Sequence, residues 1–401
     1  MMRASKIGAL GSFLVMMVLQ PALSATSTTC QKAEWALWSA FENHFIQDSG
    51  RVLDASTPMQ HSSSEGQSYG MFFALVADDR DQFDRMWNWS IDNLSGGDPT
   101  RQLPAWIWGK ADDGSWRVLD PNSASDANLW YAYALLEAGR LWSEPTYTRQ
   151  AHNLLDLIEA QEVDSLPGLG EMLLPGREWF FNPEEQTWQL NASYMPVPLL
   201  RRLALERPNG PWSKIADNTA TLIAKTSPKG FAPNWTTYQA KQSPPSFMVD
   251  PRKGPDGSYD AIRTYLWAGM TDHRDPLYSR ILKSLDGMIT ATRNDSQQFP
   301  PEVVNTQTGE LYRNGPFGFS AALLPYFVAN RQPDLLEKQY QRVNSALLRT
   351  AGLEASIDQQ PPYYDYVLSL FGLGWLNNMY RFRPDGTLSL TWGKGCLNTT
   401  G

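Results

Sequence analysis

Apolar residues recur at spacings of three and four along most of this chain, the period of a helix with a buried face. The pattern predicts helices over 31–47, 66–78, 80–95, 126–142, 146–162, 191–205, 211–225, 259–270, 274–292, 317–328, 332–349 and 362–379. They are of two kinds. Segment 126–142 is apolar on nearly every face, with Leu129, Trp130, Ala132, Tyr133, Leu135, Leu136 and Leu141. Segment 332–349 is apolar on one side only, where Leu335, Leu336, Leu347 and Leu348 stand beside Gln339, Gln341 and Arg342. A helix apolar all round is buried, and an amphipathic one covers a surface. Helices of both kinds, joined by alternately short and long connections, predict six hairpins closing into a double ring, an all-α (α/α)6 barrel. The long connections, 48–65, 96–125, 163–190, 226–258 and 293–316, are rich in Gly, Pro, Asp and Trp. Long loops in a compact domain are usually functional. No low-complexity linker divides the chain, so residues 26–401 are expected to form one domain.

The first residues depart from this pattern. Arg3 and Lys6 precede an apolar run from Ile7 to Leu19, and the small residues Pro21 to Ala25 follow. Residues 1–25 therefore read as a secretory signal peptide, too short and interrupted to be a span. The mature protein is expected to be exported, periplasmic or secreted, with no membrane span. Its loss removes two basic and no acidic residues, so the net charge moves from -8 to about -10. An acidic surface gains nothing from phosphate backbones, which argues against a nucleic-acid partner. Cys30 and Cys396 lie near the two ends. In an exported protein they are either a disulfide or two free thiols, and closure of a ring would bring them together as a bond requires. His44, His61, His152 and His273 have no ligand spacing, so neither a metal nor a cofactor is expected. Many of the 16 Trp lie among polar residues, where a ring can stack on the apolar face of a sugar or pack into the core.

Three acidic residues sit where a long connection meets a helix start. Glu65 lies in Ser62-Ser63-Ser64-Glu65-Gly66-Gln67-Ser68-Tyr69-Gly70-Met71, Asp126 in Ala124-Ser125-Asp126-Ala127-Asn128, and Asp260 in Tyr259-Asp260-Ala261-Ile262-Arg263. Each alone suits a helix cap. In a ring of hairpins, however, such corners gather on one rim. Cleaving an acetal needs one carboxyl that holds a proton and another that is ionised. A helix N-terminus depresses a carboxyl pKa, so Glu65 needs a second carboxylate nearby to keep a proton, and Asp126 is expected to supply it. Arg263, one turn beyond Asp260, is expected to keep that residue ionised.

The Ser64-to-Met71 stretch resembles the acid motif of glycoside hydrolase family 8, and Tyr259-to-Arg263 resembles the base motif of its cellulase branch. The resemblance implies an inverting endo-β-1,4-glucanase, with Glu65 as general acid and Asp260 activating water. Asp126 matches the family signature and would bind the distorted sugar and tune Glu65. The family usually carries a second Asp where this chain has Asn128. Further matches are Pro104-Ala105-Trp106-Ile107-Trp108-Gly109, Leu190-Asn191-Ala192-Ser193-Tyr194 and Tyr363-Tyr364-Asp365-Tyr366-Val367-Leu368. They resemble the branch that accompanies bacterial cellulose synthesis, which implies a β-1,4-glucan substrate and the cellulose synthase complex as a partner of a monomeric enzyme. Expected substrate contacts are Tyr69, Trp106, Trp108, Trp116, Trp179, Tyr194, Tyr259, Arg263, Tyr363 and Tyr364. Trp130 is a further platform candidate, though Trp130 and Tyr194 also suit the core. Two alternatives stay open: the same fold acting on chitosan, xylan or mixed-linkage glucan, and a glycan-binding component of a cellulose export complex without turnover.

Overall fold

A computed structural model describes residues 35–350 and 360–392. The expected signal peptide and the pair Cys30 and Cys396 lie outside these residues. Helices α1 (Ala36–Phe45), α2 (Ser64–Val76), α3 (Arg80–Leu94), α4 (Ser125–Leu141), α5 (Pro145–Gln161), α6 (Val197–Glu206) and α7 (Trp212–Thr226) are followed by α8 (Ala261–Met270), α9 (Tyr278–Ser284), α10 (Gly287–Asn294), α11 (Phe317–Ala329), α12 (Pro333–Thr350) and α13 (Tyr363–Leu376). That is one more than the periodicity predicts, because 274–292 is broken at Leu285 and Asp286 into α9 and α10. Segment 191–205 likewise divides into a 3-10 turn, Ala192–Tyr194, and α6. No helix among the described residues is long and apolar enough to cross a membrane.

The inner ring runs α2, α4, α6, α8, α11, α13, each packed on the next. It closes where Phe371 of α13 meets Tyr69, Phe72 and Phe73 of α2 at ring separations of 5.0, 5.7 and 4.6 Å. The axis is filled rather than hollow. Trp130 of α4 and Trp267 of α8 lie 5.4 Å apart, and Phe371 packs on both. Helices α2, α4, α8, α11 and α13 are buried over most of their length, as all-round apolarity requires. Around them stand the amphipathic α3 against α2, α5 against α4, α7 against α6, α9 against α8, α12 against α11 and α1 against α13.

The long connections hold short antiparallel strands, where the sequence pattern predicts only loops. Strands β1 (Ser62–Ser63), β2 (Ala105–Lys110) and β3 (Trp116–Ser123) form one sheet, and β4 (Val163–Leu166) pairs with β5 (Gly170–Leu173). A four-stranded sheet has the order β6 (Phe181–Asn182), β7 (Thr187–Leu190), β8 (Thr236–Gln239), β9 (Ser246–Val249). Strand β10 (Asp256–Gly257) leads another with β11 (Pro301–Asn305) and β12 (Leu311–Asn314). These strands fix where inner helices begin: β1 runs into α2, β3 ends just before α4, and β10 precedes α8. At the opposite end of the ring the hairpin β13 (Tyr380–Phe382) and β14 (Leu388–Leu390) closes the barrel. The Tyr133 hydroxyl donates to Gly386 O at 2.9 Å and Leu388 N–H donates to Glu137 at 2.7 Å.

Candidate active site

At the open rim the starts of α2, α4 and α8 border a cleft of about 620 Å³. At α2 and α8 other residues do the capping, which frees Glu65 and Asp260, whereas Asp126 accepts from Ala127 N–H at 2.8 Å in the first turn of α4. The Ser63 hydroxyl accepts from Gly66 N–H at 3.0 Å to cap α2. Asn234 accepts from Ala261 N–H at 3.0 Å and Ser258 N–H at 2.8 Å at the start of α8, where Asp260 makes no side-chain cap. Gly66 and Gly70 face protein rather than ligand: a Cβ would sit 2.5 Å from the Tyr363 hydroxyl and 2.7 Å from the Met86 sulfur, respectively.

One guanidinium gathers the three carboxylates. Arg263, in the first turn of α8, is buried. Its Nη1 contacts Glu65 Oε2 and lies 3.5 Å from Asp126 Oδ2, while Nη2 lies 3.2 Å from Asp260 Oδ1. Nη1 also donates to the Tyr69 hydroxyl at 3.3 Å and Nη2 to Ser193 Oγ at 3.4 Å. The expected nearness of Asp126 to Glu65 is found, as both carboxylates lie against the same Arg263 nitrogen. Burial pushes the Asp126 carboxyl well above the ordinary range, and the Glu65 charge pushes it further against the pull of Arg263. Burial beside a second carboxylate favours the protonated form of Asp126. Arg263 pulls Asp260 downward as expected, but burial outweighs it and the Asp260 carboxyl is raised. A base so raised is closer to the pH at which it works, which favours proton abstraction.

Trp106, Tyr194, Tyr259, Tyr363 and Tyr364 line the same cleft. Trp106 and Tyr259 are 40% and 47% exposed, enough to offer a stacking face. Tyr194 lies 5.7 Å from the Arg263 guanidinium, and the Tyr364 hydroxyl donates to Tyr259 O at 2.8 Å. Other sequence candidates fall elsewhere. Tyr69 is buried behind Arg263, and Trp130 is wholly within the axial plug. Trp108 and Trp116 stack at 5.3 Å beside the cleft, with the Arg51 guanidinium 4.6 and 4.8 Å from their rings. Trp179 stands in a separate groove on the β6–β9 sheet.

Several site residues lack a local sequence signal. Trp235 Nε1–H donates to Asp260 Oδ2 at 3.0 Å, so it holds the carboxylate opposite Arg263. Asp54 and His61 line the far wall, 3.6 Å apart. Glu162 is fully buried behind the Asp126 turn, where Ser123 Oγ–H donates to it at 2.5 Å and Asn128 Nδ2 at 2.9 and 3.1 Å. This contact accounts for Asn128: an Asp there would face Glu162 as a second buried carboxylate.

A ring of helix pairs that presents carboxyls across an aromatic-walled, sugar-sized trench defines a glycoside-cleaving enzyme. The chain belongs to glycosyl hydrolases family 8, whose model matches residues 7–378. An endoglucanase of Xanthomonas axonopodis pv. citri is 48% identical over 97% of this chain and 98% of its own length. An endoglucanase of Pseudomonas fluorescens is 46% identical over 94% and 95%. The crystal structure of endo-1,4-D-glucanase from Vibrio fischeri superposes with a TM-score of 0.83 at 38% identity, covering 90% of this chain and 99% of that one.

Proposed function

We propose that the protein is an endo-β-1,4-glucanase that cleaves internal bonds of a cellulose-type chain by a single inverting displacement. The observation that carries it is Arg263, which touches Glu65, Asp126 and Asp260 at the rim of an open cleft. The glucan lies along the cleft with its apolar faces against Trp106, Tyr259, Tyr363 and Tyr364. Glu65 delivers a proton to the leaving glycosidic oxygen. Asp126, which shares the Arg263 nitrogen with Glu65, supplies the neighbouring proton reservoir and binds the distorted sugar. Asp260, held by Trp235 and Arg263, takes a proton from water as that water attacks the anomeric carbon from the opposite face. Glu65 leaves the reaction ionised and Asp260 protonated, so one exchange with solvent resets the pair. Inversion needs the two carboxyls roughly 6.5–9.5 Å apart to admit that water.

We further propose that the enzyme is exported, acts as a monomer, and works beside a cellulose synthase complex. The signal-like start and the motif resemblance support this. The test of the activity is reducing-end release from carboxymethylcellulose, read against xylan, chitosan and mixed-linkage glucan. Preferred cleavage of the β-1,4-glucan is expected; equal or better cleavage of another polymer rejects the substrate, and no cleavage of any rejects catalysis.

A further inference from the structure

The groove that holds Trp179 is not part of the catalytic cleft. It has a volume of about 490 Å³ and runs over the outer face of β6–β9, between Trp179, Phe181, Gln189, Met248 and Arg252. Its walls leave large apolar side chains in water: Trp179 is 81% exposed, Phe181 41% and Met248 45%. Trp179 also has φ +76°, a left-handed conformation uncommon for a bulky residue. A strained, exposed indole does nothing for the core. Phe181 is stacked on one face by Trp188 at 4.7 Å, which fixes the ring and leaves its other face to the groove.

The polar lining points to an uncharged ligand rich in hydroxyls. Arg252 is turned inward onto Gln189 Oε1 at 3.1 Å. Asp250 is occupied by Gln189 at 2.8 Å and Thr237 at 2.9 Å. Glu185 and Asp250 against Arg252 leave a single negative charge in excess, which disfavours an anion, while the Asn182 amide and the Thr187 hydroxyl also line the groove. The groove also adjoins the catalytic cleft. Phe180, in its wall, lies parallel to Trp235 at 6.0 Å, and Trp235 holds Asp260.

We propose that this groove is an auxiliary binding site for a β-1,4-glucan chain, with Trp179 and Phe181 as its sugar platforms. It holds a stretch of long substrate outside the cleft and raises the local concentration of scissile bonds. The proposal rests on the glucanase assignment of the cleft, and the following experiment separates the two.

Wild type, Trp179→Ala and Trp179→Phe are compared on carboxymethylcellulose and on cellotetraose, which is short enough to fit the cleft alone. Trp179→Ala is expected to raise KM on the polymer roughly three- to tenfold, the worth of one aromatic stacking contact. Its kcat and its cellotetraose kinetics stay at wild-type values, and Trp179→Phe restores most of the polymer KM. An unchanged polymer KM overturns the proposal, as does an equal loss on both substrates at an unchanged melting temperature. Retention on insoluble cellulose of the inactive Glu65→Gln protein, with and without Trp179→Ala, gives a readout independent of turnover. Retention that depends on Trp179, found while the wild type cleaves no glucan, keeps the groove and rejects the active-site assignment. Retention unaffected by Trp179→Ala rejects the groove.

Discussion

Arg263 has three carboxylates to satisfy and only one fork with which to do it. A lysine offers a point charge and cannot span Glu65 and Asp260 together. Arg263→Lys is expected to fold, to lose activity by roughly 10²-fold, and to shift the acid limb of the pH–rate profile upward. The sign follows from the guanidinium, which lowers the Asp260 pKa. Weakening that contact raises it, so the base ionises only at higher pH. Glu65→Gln is expected to keep the fold and melting behaviour and to lower kcat on carboxymethylcellulose roughly 10²–10⁴-fold, the usual worth of a general acid. A variant that cleaves at the wild-type rate removes Glu65 from that role. Glu162 makes a prediction about stability. Burial pushes its carboxyl up to about 7. The fold therefore prefers the protonated form, and this contribution, complete below the ordinary carboxyl range, is lost as pH rises through about 7. Urea melts from pH 5 to 9 are expected to show wild type losing roughly 3 kcal/mol relative to Glu162→Gln. A constant difference across that range rejects the shift. The three carboxylates at the rim were legible because each stands at a helix start beside Gly or Ser residues. Asn234, Trp235 and Glu162 were not, because each reaches its partner across more than twenty positions of chain or from another hairpin, beyond any local pattern.

At the scale of elements, periodicity found the helices because burial on all faces or on one leaves a repeat in the sequence. It did not find the strands. Most are only two to six residues long and carry an alternation too brief to compete with helical spacing. In Ala105–Lys110 the alternation is visible afterwards: Ala105, Ile107 and Gly109 point inward and Trp106, Trp108 and Lys110 outward. That alternation turns Trp106 into the cleft and places Trp108 on the same strand face beside it. The inner helices also meet more closely than their apolar composition reveals. A Cβ on Gly372 of α13 would lie 2.0 Å from Ala321 O of α11, against backbone that cannot swing aside. Gly372→Ala must therefore push two inner helices apart. It is expected to cost about 1–3 kcal/mol, the usual penalty of overpacking, read as a lower urea midpoint with an unchanged slope. An unchanged midpoint means that the α11–α13 contact is looser than the backbone geometry requires.

The whole molecule sets the stereochemistry. Around the inner ring α8 stands three places from α2 in either direction, so Glu65 and Asp260 belong to opposed walls. Their helices both start at the open rim, while the β13–β14 hairpin closes the other end. In the proposed mechanism a glucan in the cleft has its proton donor on one side and its water-activating carboxylate on the other, with Arg263 in contact with both. A retaining mechanism would need Asp260 to reach the anomeric carbon itself, with the two carboxyls only about 5–5.5 Å apart. Asp260 is instead tied on both oxygens, to Arg263 at 3.2 Å and to Trp235 at 3.0 Å. The double ring and its closure were legible in the alternation of buried and amphipathic helices, but the aromatic contacts between α2 and α13 that make the closure were not, because they join opposite ends of the chain. The opposition of the two walls predicts the first product. Proton NMR of a cello-oligosaccharide during early turnover is expected to show the α-anomer at the new reducing end before mutarotation. A β-anomer released first would mean that a carboxylate attacks the anomeric carbon directly, and would reject the single displacement.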